Sequence, residues 1–267
     1  MAKLPDRAAD ARAGRGRAAG VLVLAYGTPT GPDDVEAYYT DIRRGRPPSP
    51  EQLADLARRY DAIGGTSPLR ARTEAQRAGL QAALDRRAPG RYRVVGGFKH
   101  ARPSIEEAVD ELADAGIDEA TALVLAPHES ALSVGEYLER ASERAAVRGL
   151  DLRAVRSWPV LPAYVQFLSE AVVDQLVALP ARTAVLFTAH SLPARILETG
   201  DPYPAQLRET AGAVAVAVGA VGPALRESVG DGPGWRTAWQ SAGRTPEPWL
   251  GPDLVEVIRA LGAGGGV

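Results

Sequence analysis

Three histidines stand in 267 residues, and each closes a short apolar run. Val94-Val95-Gly96-Gly97-Phe98-Lys99 leads into His100, Ala122-Leu123-Val124-Leu125-Ala126-Pro127 into His128, and Ala184-Val185-Leu186-Phe187-Thr188-Ala189 into His190. Imidazole titrates near neutral pH and is a common metal ligand. A histidine at such a position could therefore act as a general base or contact a metal. A strand-end histidine bonded only to backbone is the alternative for each. None of the three pairs has the i, i+4 spacing of a helical metal site, so any shared site must be assembled by the fold. Imidazoles without cysteine would suit a borderline metal such as zinc or iron. Ser191 follows His190, but no G-x-S-x-G surrounds it, so it is not a nucleophile elbow.

Other residue types add to the picture. Lys99, beside His100, is one of two lysines in a chain whose other side-chain cations are arginines. Tyr26-Gly27-Thr28-Pro29 follows the first apolar run, where a glycine turn brings backbone N–H groups toward a ligand. Arg43-Arg44-Gly45-Arg46 could hold carboxylates or could be a solvated helix end. Tyr60, Ile63-Gly64-Gly65 and Ser67-Pro68-Leu69 form a compact loop region. Trp239 and Trp249 frame Gln240-Ser241, either as the floor for a flat ligand or as core.

The elements that would position these residues alternate in type. Strands are predicted at Val21–Ala25, Tyr92–Gly97, Ala122–Ala126, Leu152–Val155, Ala184–Ala189 and Arg236–Gln240. Short apolar runs of this kind read as buried strands of a parallel sheet, whose carboxyl ends line the ligand crevice. Helical spacing covers Val35–Arg43, Pro50–Tyr60, Leu69–Arg86, Ser133–Arg148, Pro162–Val177, Tyr203–Ala220 and Pro252–Leu261, with another helix starting at Pro103. Strand–helix alternation predicts an α/β fold with parallel sheets, in two similar lobes at residues 20–158 and 159–267. Residues 1–19 read as a disordered tail, Arg226–Gly234 as a loop, and Gly262–Gly266 as a frayed terminus. Gly14-Arg15-Gly16 with Gly20 precedes the first strand, so it is not a dinucleotide fingerprint.

Composition narrows the function classes. The net charge of −2 and pI near 6.0 give no support to a nucleic-acid partner. Zero cysteine excludes disulfides, iron–sulfur clusters and thiol nucleophiles. No apolar stretch approaches the roughly 20 residues of a membrane span. A cytoplasmic monomer is expected.

Taken together, these stretches resemble ferrochelatase, in its coproporphyrin ferrochelatase branch, from about Val21 to Leu261. The resemblance rests on Ala25–Pro29, Tyr38–Arg46, Arg59–Leu69, Lys99-His100, Ala126-Pro127-His128, Thr188–Pro193, Gly200–Tyr203, Trp239–Ser241 and Pro248–Pro252. It implies two Rossmann-like lobes with a porphyrin cleft between them. The implied reaction is insertion of ferrous iron into coproporphyrin III in haem biosynthesis, with iron as a substrate and no tightly bound cofactor. By motif match, His190 would be the catalytic histidine that contacts the metal and accepts a pyrrole proton. Tyr26 would reach the metalloporphyrin. Arg43, Arg59, Tyr60, Ser67 and Tyr137 would bind substrate, and Lys99 and His100 would line the cleft. His128 matches a position less directly tied to chemistry. The resemblance also implies a closing strand and helix bearing an acidic residue opposite the histidine. Residues 254–267 do not supply these, so the second lobe is expected to be incomplete. A porphyrin- or haem-binding protein without chelatase activity is the alternative function.

Overall fold

The computed structural model describes residues 18–180, 183–221, 234–243 and 245–263. Most of the tail expected at 1–19, most of the loop expected at 226–234 and the last four residues lie outside these. The chain divides into two units. The first runs to Ala126 and resumes at Glu136–Val155; the second comprises Pro127–Gly135 and the residues from Arg156 on. Residues 127–135, read from sequence within the first lobe, thus group with the second unit. Both units are α/β with parallel sheets, as expected.

In the first unit, β1 (Ala19–Ala25) lies between β2 (Tyr92–Phe98) and β3 (Glu119–Val124), with β4 (Asp151–Val155) beyond β3. All three pairings are parallel. The centre of the core is β1: Leu22, Val23 and Leu24 are at most 1% exposed. Burying one such leucine contributes about 2 kcal/mol. Three helices, α1 (Val35–Ile42), α2 (Pro50–Ala62) and α3 (Leu69–Arg87), connect β1 to β2. Successive residues on β2 separate the two faces of the sheet. A Cβ on Gly96 would meet Arg77 of α3, whereas one on Gly97 would meet Ile105 and Ala108 of α4 (Ile105–Asp114). Thus α3 and α4 cover opposite faces.

The free edge of β2 is capped by side chains. Gln81 of α3 donates to the Tyr92 carbonyl (3.0 Å) and accepts from the Val94 N–H (2.8 Å), while Arg77 donates to the Val94 carbonyl (3.1 Å). A carboxamide thereby takes the place of a neighbouring strand.

Three local expectations need correction. The helix after Pro103 starts at Ile105, because Ser104 and Glu107 form a reciprocal cap; proline is outside it. The helix expected from Ser133 begins as α5 (Glu136–Arg148), after a wide π turn at Ala131–Gly135 closed by the Gly135 N–H to the Ser130 carbonyl (2.9 Å). The strand expected at Ala122–Ala126 lies earlier, because its partners pair with Glu119–Val124. His128 therefore sits four residues past β3 rather than closing it.

In the second unit, β5 (Val185–His190) pairs with β6 (Trp235–Gln240) in register, His190 opposite Gln240. Helix α6 (Pro162–Leu176) packs on α7 (Tyr203–Val221), and α7 and α8 (Leu254–Ala263) both pack on β6. Ile196, Leu207, Trp239 and Leu250 form one apolar cluster, with Tyr203 against it.

Candidate functional site

Parallel pairing carries past the strands and builds the first group of side chains. Lys99 N–H bonds the Ala25 carbonyl (2.9 Å), and His100 N–H bonds that of Tyr26 (3.0 Å). Register alone thus sets His100 beside Tyr26, their rings edge-to-face at 4.6 Å. The turn beyond Tyr26 requires glycine. Gly27 has φ +86°, and a Cβ there would come within 2.7 Å of that of Ala101.

His100 Nδ1 lies 2.6 Å from Asp41 Oδ2. A neutral ring donating through Nδ1 keeps an acceptor lone pair on Nε2. Burial pushes the imidazole below its ordinary pKa, and the bond and charge of Asp41 oppose that. Lys99 pairs with Glu136, its ammonium 5.4 Å from the ring centre of buried Tyr137. Burial, foremost, pushes the phenols of Tyr26, Tyr38 and Tyr137 above their usual range. All three are neutral O–H groups at pH 7. Tyr60 OH lies 3.2 Å from Thr28 Oγ1.

The remaining candidates of this unit lie outside that cluster. Arg43 donates to the Arg46 carbonyl (3.2 Å) and stacks on Tyr39 (5.7 Å). Arg59 pairs with Asp55 one turn earlier on α2. Ser67 Oγ accepts the Leu69 N–H (3.2 Å) at the start of α3. The structure gives Arg43, Arg59 and Ser67 no side-chain bond to Tyr26, Lys99, His100 or Tyr137 among the described residues.

In the second unit, His190 ends β5 with its side chain exposed. Its backbone is held tightly. Tyr203 OH donates to the His190 carbonyl (3.1 Å), and the next residue, buried Ser191, donates N–H to Gln240 (2.7 Å) and Oγ–H to Leu250 (2.8 Å). Tyr203 in turn packs on Trp239 (5.7 Å), which is core, not a ligand floor. Burial pushes the Tyr203 phenol up to about 12. The His190 ring has no hydrogen bond to protein among the described residues.

His128 differs. Thr210 Oγ1 donates to the Pro159 carbonyl (2.8 Å), so it accepts from His128 Nε2–H (2.8 Å). Burial pushes this imidazole down to about 4. Its neighbour Glu129 bonds Gln206 through its backbone N–H (2.7 Å) and Arg156 through its carboxylate (2.6 Å). Among the described residues, no three His, Asp or Glu side chains converge as a metal cage.

Sequence reasoning missed Asp41, Glu136, Arg140 and Tyr203 as supporting groups. Arg140 makes two 2.8 Å bonds to Glu106 and donates to the Lys99 carbonyl (2.9 Å), fixing the backbone of the Lys99-His100 pair. Asp41 and Tyr203 lie inside stretches that carry the resemblance, so they were signalled there, though without a role.

Comparisons with known proteins identify the family. The family model described as Ferrochelatase matches residues 18–266. A protein named coproporphyrin III ferrochelatase from Anoxybacillus flavithermus is 44% identical over 248 residues, covering 91% of this chain and 75% of its own. Proteins of the same name from Geobacillus kaustophilus and Listeria innocua are 43% and 42% identical, covering 92% and 91% of this chain and 76% of each relative.

Proposed function

This chain belongs to the ferrochelatase family, and on that premise we propose that it inserts ferrous iron into coproporphyrin III, with His190 accepting a pyrrole proton. The relatives' names support the choice of porphyrin. The same reading takes iron as a substrate, needs no resident cofactor, and describes a cytoplasmic monomer. Among the described residues, no helix is long and apolar enough to cross a membrane.

Insertion exchanges two pyrrolic N–H protons for one Fe2+, so two protons leave the macrocycle. The first needs an accessible base that is neutral near pH 7. One observation carries the assignment: of the three histidines, His190 is the one whose ring has no hydrogen bond to protein among the described residues, while the backbone around it is held by Tyr203 and Ser191. A backbone positioned by hydrogen bonds under an imidazole that no described protein group engages is a base placed to accept a proton. His100 and His128 are engaged by Asp41 and Thr210.

Tyr26, held protonated by burial, is read as a group that contacts the macrocycle. Arg43, Arg59, Tyr60, Ser67 and Tyr137 are read as donors to its four propionates, with Lys99 and His100 beside them. Arg59 now pairs with half-exposed Asp55, a contact weak enough to exchange for a substrate carboxylate.

The test is anaerobic mixing of the chain with coproporphyrin III and ferrous iron, followed by porphyrin absorption. Catalytic conversion is expected, and His190→Ala should slow it by about 100-fold or more while porphyrin still binds. Wild-type turnover in that variant would remove His190 from the chemistry. Binding without conversion in the wild type would leave a porphyrin-binding protein instead.

A further inference from the structure

A cavity of about 460 Å3 opens in the first unit beside the Tyr26–His100 pair. Four cationic side chains line it: Arg70, Lys99, Arg102 and Arg140. Three are neutralised by carboxylates. Lys99 pairs with Glu136, Arg102 with Glu107, and Arg140 with Glu106. The two acids on the wall are also engaged. Asp34 accepts from the N–H and hydroxyl of Thr30, and Asp41 from His100.

Arg70 has no carboxylate within ion-pair distance among the described residues. Its Nη1 donates to the Arg102 carbonyl (3.2 Å), and its guanidinium lies 5.5 Å from the ring centre of Phe98, which is 2% exposed. Those contacts fix the plane and leave the Nε–Nη2 edge without a protein acceptor among the described residues. That edge is the fork that binds a carboxylate in bidentate fashion. Two residues past the carbonyl that holds Arg70, Ser104 also lines the cavity. Its Oγ accepts the Glu107 N–H and its hydroxyl bonds the Glu106 carboxylate, so Ser104 is engaged within the protein and Arg70 is the group left to meet a ligand.

We propose that the free edge of Arg70 forms a carboxylate-binding subsite in this cavity. Lys99, Arg102 and Arg140 are already paired, so the charge on offer is the single one of Arg70, which Asp34 on the same wall also feels, and the group it takes carries one negative charge at the point of contact. Two sources present that chemistry: a small free carboxylate, or a propionate arm of the porphyrin. The subsite stands on the geometry of the first unit; only the propionate source rests on the ferrochelatase reading.

Calorimetric titration of the full chain with succinate, and separately with coproporphyrin III, tests it in wild type, Arg70→Gln and Arg70→Lys. Saturable succinate binding that weakens about tenfold or more in Arg70→Gln, with porphyrin affinity unchanged, assigns a free carboxylate. A similar loss for coproporphyrin III assigns a propionate. Arg70→Lys should lie between, since charge remains while the fork is lost. If neither ligand distinguishes wild type from Arg70→Gln, the subsite is overturned. Failure of coproporphyrin III to bind wild type counts against the ferrochelatase reading, while succinate still decides the subsite. Should Arg70→Gln not fold, the wild-type Arg70 Nε–H resonance decides: it shifts on addition of the bound ligand, or the proposal fails.

Discussion

At the scale of single residues, backbone geometry does as much as side-chain chemistry. Gly27 carries the chain from Tyr26 toward Thr28 in a left-handed conformation, with no space for a methyl group against Ala101 and Phe98. Gly27→Ala should therefore cost about 2–4 kcal/mol, the sum of a left-handed alanine and local overpacking. A denaturant melt would read this, and a loss below ~0.5 kcal/mol would refute the steric account. His128 makes a second prediction. Its folded pKa, about 4, lies below the ordinary 6.5, so the unfolded chain binds the proton more readily. Its contribution to stability is complete above pH 6.5 and is lost as pH falls toward 4. His128→Gln should flatten that part of the stability–pH curve relative to wild type. Parallel curves for the two proteins would show that the buried imidazole is not responsible.

At the scale of elements, a regular charge pattern joins two helices that the connectivity makes parallel. Glu106, Asp110 and Asp114 follow at four-residue spacing on α4, as do Arg140, Arg144 and Arg148 on α5. Asp110 sits at the centre, accepting from Arg144 at 2.7 Å twice and from Arg148 at 2.7 Å. The Arg144 bond, first, holds its carboxyl below the usual range, so the ladder works above that range and fails as acid protonates it. Asp110→Asn should lower Tm modestly at low salt and by less in 1 M NaCl, where screening lengths fall to about 3 Å. A salt-independent loss would indicate packing instead. This ladder is legible in the sequence as acidic and basic i, i+4 series, whereas the apolar periodicity marks only the buried faces of the two helices. Strand–helix alternation and the parallel class could be read because buried strands are short apolar runs. The π turn before α5 could not, because its closure depends on one long-range fit: Asp201 accepts from both Ser130 Oγ–H and Ala131 N–H at 2.9 Å. The histidines could be found as residues, but their roles could not. Sequence spacing does not reveal that Asp41, 59 positions away, holds His100, or that none of the described residues hydrogen-bonds the His190 ring.

At the scale of the whole molecule, the two units differ in how completely they bury their sheets. In the first, β1 has a hydrogen-bonded neighbour on each side and Leu22–Leu24 are sealed from solvent. In the second, among the described residues, the sheet is two strands, and every position of β5 is half-buried or exposed. A two-stranded ribbon gains its stability from the helices packed on it rather than from its own ladder. Local opening is easier where backbone hydrogen bonds lie near solvent and apolar contacts are few. Amides of Leu22–Leu24 should therefore exchange at the rate of global unfolding, and those of Leu186–Ala189 measurably faster. That contrast bears on the proposed chemistry, because His190 ends β5, where hydrogen bonds from Tyr203 and Ser191 secure the last residues of a strand expected to open more readily along its length. A porphyrin that engages His190 should slow exchange along β5, since binding to the native form alone adds about 2.7 kcal/mol at a hundredfold excess over Kd. Native-state hydrogen exchange with and without coproporphyrin III reads both effects. Equal protection of β1 and β5 in the free chain would refute the difference in local stability, and unchanged β5 protection on binding would separate His190 from the porphyrin site.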